Sequence, residues 1–347
     1  MTRKFKICMI FSTSAVCLVL VRMINSAVNI NFNASSWLFS FIVQLVCNLG
    51  LVVALYAILF KKNPLKDLSI TTNVNPLIII LAIPLGIFFY LLTIGVASVW
   101  QGGLSILGYT FPVTVDTIYS GPEVLAMEII TVAILPAIGE EIVYRGMGRL
   151  VFDDSNDIFA IVAMALLFSL GHQNIVQTGY TFVGGLIFAF IAVKTKNIIP
   201  GMVVHCINNL IVVLIGYGNQ TGDKFCSAIN TLVNSAFSTV GRLLAVTFLS
   251  GLIVVGILVL MQVIQKQAKK KKQAKGEDNI TTDGVVFFKN SSSYVDDIFG
   301  GGMMTNTPSA LEFEGKKSKW YEYAFVYMMA ALTVVTTIFT YIWGVWR

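Results

Sequence analysis

Six stretches of this 347-residue chain, roughly 7–29, 37–60, 76–100, 198–217, 243–264 and 322–346, are apolar over about 20 residues, the helix length that crosses the hydrocarbon of a bilayer. A chain built this way has few options. Backbone in lipid must satisfy its own hydrogen bonds, and an α-helix does so within one segment. A seventh stretch, 122–152, is helical in pattern but carries Glu140, Glu141, Arg145 and Arg149. Residues 158–193 contain no Asp, Glu, Lys or Arg; as one helix they would extend about 54 Å, too far for a bilayer. The polar, Gly-flanked patch from Gly171-His172-Gln173-Asn174 to Gln177-Thr178-Gly179 divides them into two shorter helices. The expected fold is all-α: a polytopic membrane helical bundle of about eight to nine transmembrane helices, nine by this count.

Composition excludes the competing classes. Hydrophobic residues make up 56% and charged residues 12%, against averages near 45–50% and about 25% in soluble chains. Neither a disordered chain nor a soluble domain with an ordinary charged surface fits. Ten Lys and seven acids fall within 266–319, a stretch rich in Ser, Gly, Asn and Thr that includes Gly300-Gly301-Gly302; it reads as a flexible cytoplasmic loop. The net charge of +6 comes mainly from Lys269-Lys270-Lys271-Lys272, directly after an apolar stretch. That placement points to anionic lipid along the run Lys266 to Lys275, not to nucleic acid. Five cysteines, an odd number with no C-x-x-C spacing, give no disulfide framework.

Lys and Arg in short loops set orientation. With Arg3, Lys4 and Lys6 inside, alternate loops should be basic, and they are: Lys61, Lys62 and Lys66; Arg145 and Arg149; Lys194 and Lys196; Lys266 to Lys275. The opposite loops are poor in both residues, Lys224 and Arg242 excepted. The N-terminus is expected inside and the C-terminus outside. The first stretch shares a basic start with signal peptides, but no strong cleavage site follows and it counts as a span. The chain divides into N-terminal transmembrane helices (1–121), a central unit (122–216), a further transmembrane helix (217–265), the loop 266–319 and a C-terminal transmembrane helix (320–347).

A charge at the bilayer centre costs about 2.5–3.5 kcal/mol on insertion scales, which makes an intramembrane glutamate a functional candidate. Two stand side by side in Pro136-Ala137-Ile138-Gly139-Glu140-Glu141-Ile142-Val143-Tyr144-Arg145-Gly146. Glu141 and Arg145, four apart, share a helix face and can pair. Glu140 points about 100° away and lacks that partner, as suits a general base. Pro136 should kink the helix just before the pair. The chain has two histidines, His172 and His205. Phe168 and His172 lie four apart at the end of an apolar helix; His205 and Asn209 lie four apart inside an apolar span. Each element has a plainer reading: a salt-bridged helix end, an interfacial histidine, interhelical hydrogen bonds. Their combination is more specific. Glu140 and His172 each lie roughly 20 Å from the polar turn at Asp153–Asp157, so an antiparallel hairpin brings them to one depth. A buried level of Glu, His and Asn could activate water with oxyanion donors, ligate zinc, or carry protons or ions.

Glu140-Glu141-x-x-x-Arg145, then Phe168-x-x-x-His172, then His205-x-x-x-Asn209 resembles the three-motif signature of the CPBP family, the CAAX-protease and bacteriocin-processing membrane proteins, also called Abi-type or type II CAAX prenyl endopeptidase-like. Tyr144-Arg145-Gly146 is similar to the family's aromatic-Arg-Gly ending. The resemblance implies that 122–216 is the catalytic core of a glutamate-dependent intramembrane endopeptidase. By motif position it implies Glu140 as general base on water, His172 holding that water, His205 and Asn209 as the oxyanion site, and Glu141 with Arg145 orienting the motif. It implies no cofactor, with zinc as the alternative. The expected substrate is a membrane-associated or lipidated peptide. The competing reading is a non-catalytic scaffold, bacteriocin-immunity or transport protein using the same cavity. A bacterial plasma membrane is favoured as location, with the endoplasmic reticulum as the other possibility.

Overall fold

The computed structural model describes residues 1–28, 40–61, 67–70, 74–111, 118–274 and 318–346. Among the described residues ten helices are formed: α1 (Arg3–Val28), α2 (Ser40–Phe60), α3 (Pro76–Ile106), α4 (Pro122–Val151), α5 (Asp157–Gly171), α6 (Ile175–Thr195), α7 (Ile199–Thr221), α8 (Lys224–Ala236), α9 (Val240–Ala274) and α10 (Ala324–Val345), the last preceded by a 3₁₀ turn at Trp320–Tyr323. Among the described residues there is no strand. Eight of the helices are long and apolar enough to cross a membrane. The ninth expected passage is α5, whose 15 residues extend only about 22 Å. Most of the 266–319 loop lies outside the described residues.

Local chemistry sets the helix boundaries. The uncharged run breaks at Asn174, whose Oδ1 accepts the N–H of Val176 at 3.0 Å and starts α6. Asn156 caps α5 through Phe159 N–H at 2.8 Å, and Asn75 caps α3 with Pro76 in first place. Each cap satisfies an N–H that the first helical turn leaves without a partner. The amphipathic α8 was not expected; its Lys, Ser, Asn and Thr residues hide it from a search for apolar stretches.

The helices pack so that the loops expected inside gather at one end. Lys4 reaches the carbonyl of Val151 at 2.7 Å and pairs with Asp153. Lys194 pairs with Asp157 at 2.8 Å, Gln265 donates to Thr195 O at 3.1 Å, and Ile198 N–H bonds Ser69 O at 3.3 Å. At the opposite end Thr110 N–H bonds Gly344 O and Tyr119 bonds Gln220. Among the described residues, nine helices thus run alternately between these two ends, eight of them long enough to span a membrane. Two residues of the basic-loop count are placed differently. Arg145 and Arg149 are 0% and 2% exposed, inside the bundle and not on its rim. We propose that the basic end faces the cytoplasm; a cysteine introduced near residue 300 that reacts with an impermeant maleimide from outside intact cells would reverse this assignment.

Inside, α5 packs along α6, α3 along α7 and α9, and α1 along α10. The shared core includes Phe11, Leu85, Val143, Met147, Met164 and Phe188. Large apolar side chains such as Ile83, Phe248, Leu252 and Phe339 face outward, as a lipid-facing surface requires.

The basic end carries one tight polar junction. Asp154 Oδ1 accepts from Tyr323 Oη at 2.7 Å and Lys4 Nζ at 3.2 Å, and its Oδ2 from Ser318 N–H at 3.3 Å. Burial would raise its carboxyl pKa, but these donors outweigh burial and hold it at about 2, against an ordinary 3.8. A depressed folded-state value stabilises above the ordinary one and is lost as pH falls through the lower one. Unfolding of the wild type in detergent should therefore become easier between about pH 4 and pH 2. Asp154→Asn should start less stable, by about 1 kcal/mol, and show less of that acid dependence.

Candidate active site

The double glutamate lies between two loosely wound π-helical stretches of α4, Ile129–Ile134 and Ile142–Met147. Such stretches often mark functional sites. Pro136 adds a specific consequence. It has no N–H to offer the carbonyl of Val132, four residues back. That carbonyl accepts from Nδ2 of Asn209 on α7, at 3.0 Å. Asn208 Nδ2 in turn donates to Asn209 Oδ1 at 2.9 Å. A backbone carbonyl of one helix thus orients the amide of an asparagine in another.

Glu141 turns away from the cavity into a sealed layer. Its Oε1 accepts from Arg145 Nη1 at 2.8 Å, across one helical turn, and lies 3.3 Å from His205 Nδ1. Both members of the Glu141–Arg145 pair are fully buried. The guanidinium lies over the rings of Phe168 and Phe188, 4.2 and 5.0 Å from their centres, a geometry that stabilises a cation. Phe188 also stacks on His205, with centroids 5.0 Å apart and planes 14° apart. Since a carboxylate only accepts, Nδ1 of His205 carries the hydrogen toward Glu141.

Glu140 faces the other way, into a cavity of about 450 Å³, within the size range of ligand pockets. Glu140, His172, His205 and Asn209 all line it. Glu140 Oε2 stands 3.9 Å from His205 Nε2, too far for a direct hydrogen bond and within the span of one bridging water. His172 Nδ1 lies 2.9 Å from the carbonyl of Phe168. A carbonyl only accepts, so Nδ1 carries the hydrogen and Nε2 of the neutral ring is the basic nitrogen. Phe89, Phe168, Phe188, Val132 and Val212 give the cavity its apolar wall.

The structure brings four of the six candidate residues to one cavity and sets Glu141 and Arg145 directly behind it. Other polar residues also line the cavity: Gln44, Asn48, Thr93, Gln177, Tyr180 and Asn208. Gln44 Nε2 donates to Glu140 Oε1 at 3.0 Å. Uncharged polar residues in otherwise apolar spans, which need partners in lipid, were the available signal for Gln44, Asn48 and Thr93. Several of these lie outside 122–216. Among the described residues, no group of three or more His, Cys, Asp or Glu side chains is placed to hold a metal ion.

Residues 122–211 match the family model described as Type II CAAX prenyl endopeptidase Rce1-like. The match begins with α4 and ends in α7, so it contains all six candidate residues. It agrees with the resemblance drawn from the motifs and supports a CAAX-type membrane protease in general. With eight membrane-length helices, the chain is an integral, multi-pass membrane protein. Comparison with curated proteins and with solved structures gave no match.

Proposed function

We propose that this protein is a glutamate-dependent intramembrane endopeptidase that hydrolyses a peptide bond in a membrane-associated or lipidated peptide. The observation that carries this reading is the convergence of Glu140 on α4, His172 at the end of α5, and His205 and Asn209 on α7, three helices, on one cavity lined by both apolar and uncharged polar side chains. In this reading Glu140 takes a proton from a water held between it and His172 Nε2, and the resulting hydroxide attacks the substrate carbonyl. Negative charge then develops on the carbonyl oxygen; when it collapses back, the C–N bond breaks and Glu140 returns the proton it took to the leaving amine nitrogen. His205 Nε2, if protonated, and the second N–H of Asn209 are the donors that meet it. Arg145 and the shared Oε1 of Glu141 hold the His205 ring in orientation. The apolar wall suits a substrate that arrives from lipid.

Two measurements test the proposal. Purified full-length protein in lipid nanodiscs should cleave a fluorogenic farnesylated peptide with a CAAX-type ending, or another lipidated peptide from a panel. Peptide profiling of cells carrying wild-type or Glu140→Ala protein should reveal at least one product that the variant fails to release. Full biological function retained by Glu140→Gln would favour a scaffold, immunity or transport role instead. Cleavage lost on chelation and restored by zinc would favour the metal alternative. We place the protein in a bacterial plasma membrane, with bacteriocin or peptide maturation as the setting; a host cell fraction enriched in another membrane would revise this.

Anionic lipid is the proposed partner of the Lys266 to Lys275 run, because α9 continues to Ala274 and leaves Lys266, Lys269, Lys270 and Lys271 exposed. Each lysine near an anionic surface adds about 1 kcal/mol. Replacing Lys269, Lys270 and Lys271 by Gln should remove a preference for phosphatidylglycerol nanodiscs, read as thermal stability against neutral lipid.

A further inference from the structure

Glu140 is held by a chain of side chains that begins two helices away. Ser14 on α1 donates its hydroxyl to Asn48 Oδ1. Asn48 Nδ2 donates to Gln44 Oε1 at 2.7 Å. Gln44 Nε2 donates to Glu140 Oε1 at 3.0 Å. Every link runs the same way: hydroxyl hydrogen to amide oxygen, amide hydrogen to the next amide oxygen, amide hydrogen to carboxylate. The direction is forced from the far end, because a carboxylate only accepts and must therefore see the NH₂ of Gln44. That choice turns the Gln44 oxygen toward Asn48, and the Asn48 oxygen toward Ser14. Ser14 and Asn48 are buried, where a polar chain is either satisfied throughout or costly.

The backbone is arranged to allow the contact. Gln44 and Asn48 lie on the loosely wound Val43–Gly50 stretch of α2. It passes α4 at Gly139, the residue before Glu140; a Cβ there would sit 3.1 Å from Asn48 Cβ and 3.6 Å from Gln44 Oε1. Glycine at 139 lets the two helices close to amide–carboxylate distance.

We propose that Gln44, oriented by Asn48 and Ser14, is the positioning residue for Glu140. It takes one carboxylate oxygen and leaves Oε2 facing His205 and the cavity. The proposal rests on the peptidase reading for its kinetic consequence. It also assigns part of the site to α1 and α2, outside the 122–211 segment that matches the family.

The test has two arms, on full-length protein in nanodiscs. The first needs no substrate. Unfolding equilibria of Gln44→Leu, Glu140→Ala and the double variant form a cycle. A hydrogen bond to a charged group predicts coupling of about tenfold or more in the unfolding constant; coupling under about twofold overturns the proposal. The second arm uses the farnesylated fluorogenic peptide, or whichever lipidated peptide the wild type cleaves. Gln44→Leu should lower kcat by about 10- to 100-fold with KM within about twofold, as expected for a misoriented base. Asn48→Asp replaces a donor by an acceptor at the same size and should produce the same kcat loss, although packing is preserved. Ser14→Ala, one link further out, should lose less. Unchanged kcat in Gln44→Leu and Asn48→Asp overturns the proposal. Cleavage that survives Glu140→Gln is a separate result: it removes the catalytic reading itself, whatever Gln44 does.

Discussion

Glu140→Gln is expected to reduce peptide cleavage by about 100- to 10,000-fold, the range that a positioned general base contributes, while the protein folds as before. The substitution keeps the size of the side chain and its hydrogen bond to Gln44, since an amide oxygen can still accept from Nε2. It removes only the ability to take a proton from water. KM should stay within about twofold, because the apolar wall of the cavity binds substrate through surface that the substitution leaves alone. His205→Ala should cost about 100- to 1,000-fold through a lost oxyanion donor. It should also loosen the protein, since His205 contacts Glu141 and Phe188. Glu140→Gln therefore isolates chemistry from structure, which His205→Ala cannot do. Initial rates over a range of peptide concentrations, together with thermal unfolding of the same preparations, provide the check. A Glu140→Gln protein that cleaves within about threefold of wild type would exclude the carboxylate as base.

The parts of the fold legible in the sequence were those governed by the bilayer. A run from 158 to 193 without a charge cannot be one span, and the break came where Asn174 could cap a new helix. Basic loops alternate because lipid leaves them few places to go, and contacts such as Lys194–Asp157 and Gln265–Thr195 gather them at one end. The depth argument for Glu140 and His172 relied only on helical rise, and both line one cavity. Other features depended on tertiary neighbours. Arg149 looks like a rim charge in sequence, yet it is buried and donates to Ala192 O at 3.5 Å. Gln44 lies 96 positions from Glu140, and nothing in its own span says which helix it will face. Asn209 had a candidate role, but its orientation depends on the Val132 carbonyl of α4 across the interface. Periodicity reports which face of a helix is apolar; it does not report the partner across the interface.

Arg145→Met is expected to be among the most destabilising single changes in the molecule, costing about 3–5 kcal/mol, the range for breaking a fully buried ion pair from one side. The variant leaves the Glu141 carboxylate in a layer closed to water, with His205 Nδ1 at 3.3 Å as its remaining close N–H donor. It also removes the charge from the rings of Phe168 and Phe188. If loss of pairing is the cause, neutralising the partner should reverse it: Glu141→Gln with Arg145→Met should recover most of the stability, because a buried pair replaced on both sides is often close to neutral. Unfolding curves of the three variants in one detergent decide this; equal destabilisation in the single Arg145→Met and the double variant would mean that packing of the long side chain matters more than its charge. Catalysis should respond differently. Glu141 Oε1 is shared between Arg145 and His205, so the double variant loses the group that directs the imidazole and should remain slow even when stable. A buried ion pair is a weak way to stabilise a membrane core that apolar residues would fill as well. Its retention beside Glu140 and His205 is accounted for if its task is to fix the ring that faces the cavity.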